Sequence, residues 1–146
     1  MAFNYLDIAH AIDTHDFIIN ESGGSQGIRD IGLLESVLYH IQNDFYYPEF
    51  ETKVTHLVFS VNKSHAFSDG NKRSSIALGA YFLELNGLEY CVDRFIIEME
   101  NISVHVANNR IDKDLLHDII YSIINEDDFS EELRLKIIDV TDQQEN

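Results

Sequence analysis

The run His65-Ala66-Phe67-Ser68-Asp69-Gly70-Asn71-Lys72-Arg73 gathers, in nine consecutive positions, the groups needed to move a phosphate-containing fragment. An imidazole can take the proton of an attacking hydroxyl. Adjacent Lys72 and Arg73 fall at the expected first turn of a helix, where unpartnered backbone N–H groups and the positive end of the helix dipole already favour phosphate. Cations suit that end of a helix poorly unless an anion completes it. Gly70 allows positive φ and close approach of the backbone to a ligand, and Asn71 offers both a cap and side-chain hydrogen bonds. Asp69 would be repelled by phosphate unless a divalent cation lies between them, so it implies Mg²⁺. Phe67 reads as an apolar anchor for the loop. On spacing alone, the same residues suit a plain polar turn and a capped helix beside a surface histidine.

The elements that must position this segment read as helices, giving an all-α fold. Leu6, Ile8, Ala9, Ile12 and Phe17 recur at roughly helical spacing over 3–20, and Ser22-Gly23-Gly24-Ser25 supplies a loop. Asp30 suits the N-cap of a second helix carrying Leu33, Leu34, Val37, Leu38 and Ile41. The stretch 44–51, four aromatics around Pro48, suits an extended flap or turn, equally a cover for the core edge and a partner-docking element. Val54, Leu57, Val58 and Val61 mark a third helix to about Ser64. The motif loop and a fourth helix span 65–86, with Gly87 in the left-handed position after it. Helices over about 93–108, 112–125 and 130–140 follow, and the polar residues beyond are expected to fray.

With 146 residues and 45% hydrophobic content, the chain can bury one sizeable core, and a single domain over 1–146 is expected. The 26 acidic and 10 basic residues give a formal charge of -16, which argues against general nucleic-acid binding. A phosphate site must then be a local concentration of cations and N–H groups. No apolar run approaches the roughly 20 residues that span a bilayer, and no basic segment leads into an apolar one at the amino terminus. A cytoplasmic protein without membrane contact is expected. Cys91, the sole cysteine, reads as a small buried hydrophobe. The other histidines, His10, His15, His40, His56, His105 and His117, lack metal-ligand spacing and read as structural.

The nine-residue segment resembles the Fic/Doc signature His-x-Phe-x-Asp/Glu-Gly-Asn-Gly/Lys-Arg, and meets every defined position. The run from Gly27 to Leu38 is similar to the helix entry of the death-on-curing (Doc) branch, so the likeness covers roughly residues 5–90. It implies a Fic/Doc helical bundle with a short flap before the motif helix, where Phe45 to Phe50 fall. It also implies transfer from ATP to a hydroxyl of a protein substrate, with His65 as base, Asp69 holding Mg²⁺, and Gly70, Asn71, Lys72 and Arg73 holding phosphates. Fic enzymes usually move AMP, whereas the Doc branch moves the γ-phosphate to a translation factor. Lys72 in place of glycine, and Ile76 in place of a second arginine, favour phosphorylation; Gly70, where Doc has alanine, points the other way. The competing class is a catalytically silent interaction module of a toxin–antitoxin pair.

Fic proteins are often restrained by a helix bearing Ser/Thr-x-x-x-Glu-Gly/Asn. Ser122-Ile123-Ile124-Asn125-Glu126 meets the first part, with Asp127 in place of Gly or Asn. Ser122 and Glu126 are accordingly candidates for self-inhibition within regulatory helices over 112–140. The alternatives are a polar pair on an exposed helix face and restraint by a separate antitoxin.

Overall fold

A computed structural model describes residues 2–142. The expected fraying of 143–146 lies outside the described residues. Among those described, seven α-helices follow in the order α1 (Ile8–Ser22), α2 (Ile31–His40), α3 (Phe50–Ser64), α4 (Asn71–Leu85), α5 (Val92–Ala107), α6 (Lys113–Asn125) and α7 (Glu131–Asp142), with one 3₁₀ turn at Glu89–Cys91. The fold is an all-α bundle. No described helix is long and apolar enough to cross a membrane.

Local chemistry accounts for the helix boundaries. Asp7, Asp30 and Asp112 cap α1, α2 and α6, each side chain accepting a backbone N–H three residues on. The apolar spacing that starts at Phe3 therefore becomes helix only at Ile8, after the Asp7 cap. Before it, Phe3 and Tyr5 form an arm whose rings lie 5.2 Å from Phe50 and 5.8 Å from Phe82. Gly87, at φ 78°, ends the α4 region in the left-handed conformation.

Helix α3 is the axis of the bundle and packs against α2, α4, α5 and α6. Its buried face, Val54, Leu57, Val58 and Val61, meets Leu78, Phe82, Phe95, Met99, Leu116 and Ile119 in one core. Gly79 lets α4 sit close to its neighbours: a Cβ there would fall 2.7 Å from Phe95 and 2.8 Å from Val58. Lys53 is wholly buried, yet its ammonium donates to the Ile41 carbonyl (2.8 Å) and Asp44 (2.7 Å), fastening the end of α2 to α3.

The chain reverses between α3 and α4 within 65–70, so the end of one helix lies beside the start of the next. The last turn of α5 reaches the same end of the bundle: Asn62 donates to the Ser103 carbonyl, and Lys63 to Val106 O and Asn109 Oδ1. Three helix ends thus surround the motif.

Candidate active site

His65 ends α3 in the left-handed conformation, φ 54° and ψ 41°, with its side chain exposed. A non-glycine residue there costs of order 1–3 kcal/mol, and such positions concentrate at functional sites. The turn after it is held from within by Phe67 and Asn71. Phe67 is fully buried, as an anchor should be. Asn71 closes its amide on Phe67, Oδ1 accepting from the Phe67 N–H (3.1 Å) and Nδ2 donating to the Phe67 carbonyl (3.0 Å). Its side chain braces the turn and has no capping role; only its backbone N–H remains for a ligand.

The N-cap of α4 is Gly70, at φ 76°, with no side chain to accept the first-turn N–H groups. Those of Asn71, Lys72 and Arg73 belong to the part of a helix that has no intrahelical acceptor. No acidic residue stands in that turn, and Lys72 is exposed beside it. A cleft of about 380 Å³ opens over this helix start, its lining including Lys63, His65, Asp69, Gly70, Lys72 and Asn109. His65 and the start of α4 therefore face one space.

Asp69 lies at the rim of that cleft. Its Oδ2 accepts from the Ser25 N–H (3.0 Å) and its Oδ1 from the Gly70 N–H (2.8 Å). These two backbone donors, Ser25 first, hold its carboxyl below the usual carboxylate range against an opposing desolvation, with Arg73 and then His15 adding lesser contributions. The carboxylate keeps lone pairs for a hard cation, and one carboxylate with phosphate oxygens is a common Mg²⁺ donor set. The residue therefore fits Mg²⁺. Among the described residues no group of three or more His, Cys, Asp or Glu is placed to hold a metal, so an ion here needs donors from a ligand.

Arg73 is placed differently from Lys72. Its Nη1 donates to Ser22 Oγ and to the Gly23 carbonyl (2.9 Å), tying the end of α1 to the motif, and its side chain is not part of the cleft wall. The guanidinium lies beside Gly70 and Gly24. Gly24 matters for another reason: a Cβ there would fall 2.7 Å from Asp69 Oδ2.

The stretch laid along the motif is 24–30. Ile28 and Phe67 form an antiparallel bridge, with Arg29 N donating to Ala66 O (2.8 Å) and Ser68 N to Gly27 O (3.1 Å). The aromatic stretch before α3 packs elsewhere. Tyr47 stacks on His56 at 4.3 Å, Phe50 is buried, and Phe45 and Tyr46 face solvent away from the cleft wall.

His15, expected to be structural, is buried directly under the turn. Its ring stacks on Phe67 at 3.9 Å and 3°, and its Nε2 lies 2.6 Å from the Asp69 carbonyl oxygen. Lys63, Asn62 and Asn109 also join the site without any signal in the sequence, because the helix ends that carry them meet only in the folded bundle. Ser122 and Glu126 are not brought to the motif. Ser122 is buried, not on an exposed face. Glu126 follows the end of α6, where neighbouring Asn125 bonds Glu51 in the first turn of α3, about one helix length (~22 Å) from His65. Cys91 is buried, and burial pushes its thiol up, so it stays protonated.

A profile described as the Fic/DOC family matches residues 5–83. The chain is also similar to the protein "Toxin Doc" of Mycolicibacterium smegmatis (strain ATCC 700084 / mc(2)155), at 33% identity over 96 residues, covering 63% of this chain and 74% of that protein. The family match spans the motif turn and most of α4.

Proposed function

Because this chain belongs to the Fic/DOC family, we propose that it transfers the γ-phosphate of ATP to a hydroxyl of a protein substrate, acting as a toxin-like enzyme. One observation carries this reading: exposed His65 and the uncapped start of α4 line the same cleft. The first-turn N–H groups and Lys72 hold the triphosphate, while Arg73 fixes the loop beside them and adds positive potential. When bound, Mg²⁺ held by Asp69 neutralises phosphate charge. His65 takes the proton of the incoming hydroxyl as its oxygen bonds to phosphorus, and the bond to the departing ADP oxygen breaks. A cytoplasmic translation factor as substrate extends the reading from the resemblance to the Doc branch, and an antitoxin as a restraining partner extends it from the relative's name.

The Lys72 side chain in the cleft wall favours this reaction over AMP transfer, because it occupies space where a glycine would leave the backbone bare to the nucleotide. ATP labelled at the γ or α position, incubated with the protein and a cell lysate, separates the two. Protein label from γ alone supports phosphorylation, and label from α replaces it with nucleotidyl transfer. Neither label would leave a silent interaction module.

A further inference from the structure

We infer that His15 is a positioning residue: it fixes the orientation of the Asp69–Gly70 peptide, and so decides which face the turn shows to its phosphate ligand, a ligand that rests on the function proposed above. The argument starts from a single planar peptide. In a trans peptide the C=O and N–H point in opposite directions. Here the carbonyl of Asp69 points to buried His15, with 2.6 Å to Nε2, while the N–H of Gly70 points the other way, toward the Asp69 carboxylate at the cleft rim. Both bonds are satisfied by one orientation of the peptide and lost in the flipped one. Gly70 has no Cβ and already sits at positive φ, so its own sterics do little to oppose a flip. A flipped peptide would turn a carbonyl oxygen toward both the carboxylate and the bound phosphate.

A histidine that only filled the core would need its flat ring and nothing more, and the parallel stack on Phe67 would supply that. The short approach to a carbonyl is different, because a carbonyl can only accept. Nε2 must therefore carry hydrogen. The Nδ1 atom is buried with no hydrogen-bond partner, and Asp16 Oδ1 lies 3.6 Å away. The ring is thus held with its donor toward the turn.

Three measurements on the full chain test this. Long-range proton–nitrogen correlation spectra of the unmutated protein should show His15 Nε2 protonated; a bare Nε2 overturns the proposal. In His15→Phe, which keeps the stack and loses the donor, the Gly70 amide resonance should leave its hydrogen-bonded position and transfer should fall about 100-fold, the scale of losing one preorganised donor. His15→Gln, which restores a donor without the stack, should recover most of both. An unchanged Gly70 amide in His15→Phe, or rescue absent in a folded His15→Gln, contradicts the assignment. If the phenylalanine variant does not fold, the protonation state and the glutamine variant still decide it. Should the unmutated protein neither bind nor transfer from ATP, the function falls, while the Gly70 resonance still reports on His15.

Discussion

Helices α4 and α6 begin in opposite ways, and the contrast separates what the chain does to fold from what it does to bind. Asp112 closes the start of α6, its carboxylate accepting the Leu115 N–H at 2.8 Å, and Asp114 adds a negative charge in the first turn. Its one early cation, Lys113, is engaged, with Nζ 2.9 Å from His56 Nδ1 and the ring of Tyr47 5.5 Å away. At α4 the cap is a left-handed glycine with no acceptor, the first turn has no acid, and Lys72 is exposed. The first arrangement satisfies the helix from within. The second leaves the first-turn N–H groups without an acceptor from the cap, the opening that the proposed phosphate site requires.

Removing the base beside α4 should have the largest effect. His65→Ala is expected to slow label transfer about 10²- to 10⁴-fold while thermal unfolding stays near that of the parent. A rate within threefold of the parent in the folded variant would remove His65 from the chemistry. Making α4 resemble α6 comes next. Lys72→Glu should weaken ATP binding about tenfold or more, the loss of one charge-assisted contact, yet raise stability by about 0.3–1 kcal/mol through the helix dipole. Calorimetric titration and urea unfolding should therefore move in opposite directions. A variant that loses both would show that Lys72 supports the fold instead of a ligand.

The converse change is smaller. Asp112→Ala should cost about 1 kcal/mol in urea unfolding, the usual value of an N-cap, and leave transfer unchanged. Smaller still is the pH response of the Lys113 contact. Burial, then Lys113, then His40 lower the His56 pKa to about 4 from the ordinary 6.5. Between those values the unfolded chain binds a proton that the folded one does not, so stability should decline as pH falls from about 6.5 toward 4. The ring is only partly buried, which keeps the decline modest. In His56→Gln this part of the urea–pH profile should flatten; an unaltered profile would assign it to other groups.

What could be read along the chain was whatever lies close along it. The motif is nine contiguous residues, and Asp30 and Gly87 act on neighbours within a turn, so the all-α reading and the start of α4 followed from local chemistry. His15 lies 54 residues from the carbonyl it meets, and Ser25 lies 44 from the carboxylate it donates to. Their roles exist only once α1 packs on α4. Locality misled where a contiguous pattern met an unforeseen path of the chain. Ser122 and Glu126 have the spacing of a restraining motif, yet α6 runs back toward the start of α3 and carries them away from His65. Asn71, a natural capping residue by type, is drawn to the Phe67 backbone because Gly70 already occupies the N-cap.

The central claim is that the bare first turn of α4 is completed by nucleotide phosphate next to His65. Proton–nitrogen spectra recorded while Mg²⁺ and ATP are added test it most directly. The amides of Asn71, Lys72 and Arg73 should shift together and saturate at one affinity, while the capped Leu115 amide at the start of α6 stays in place. Saturable ATP binding that leaves those three amides unmoved would contradict the account.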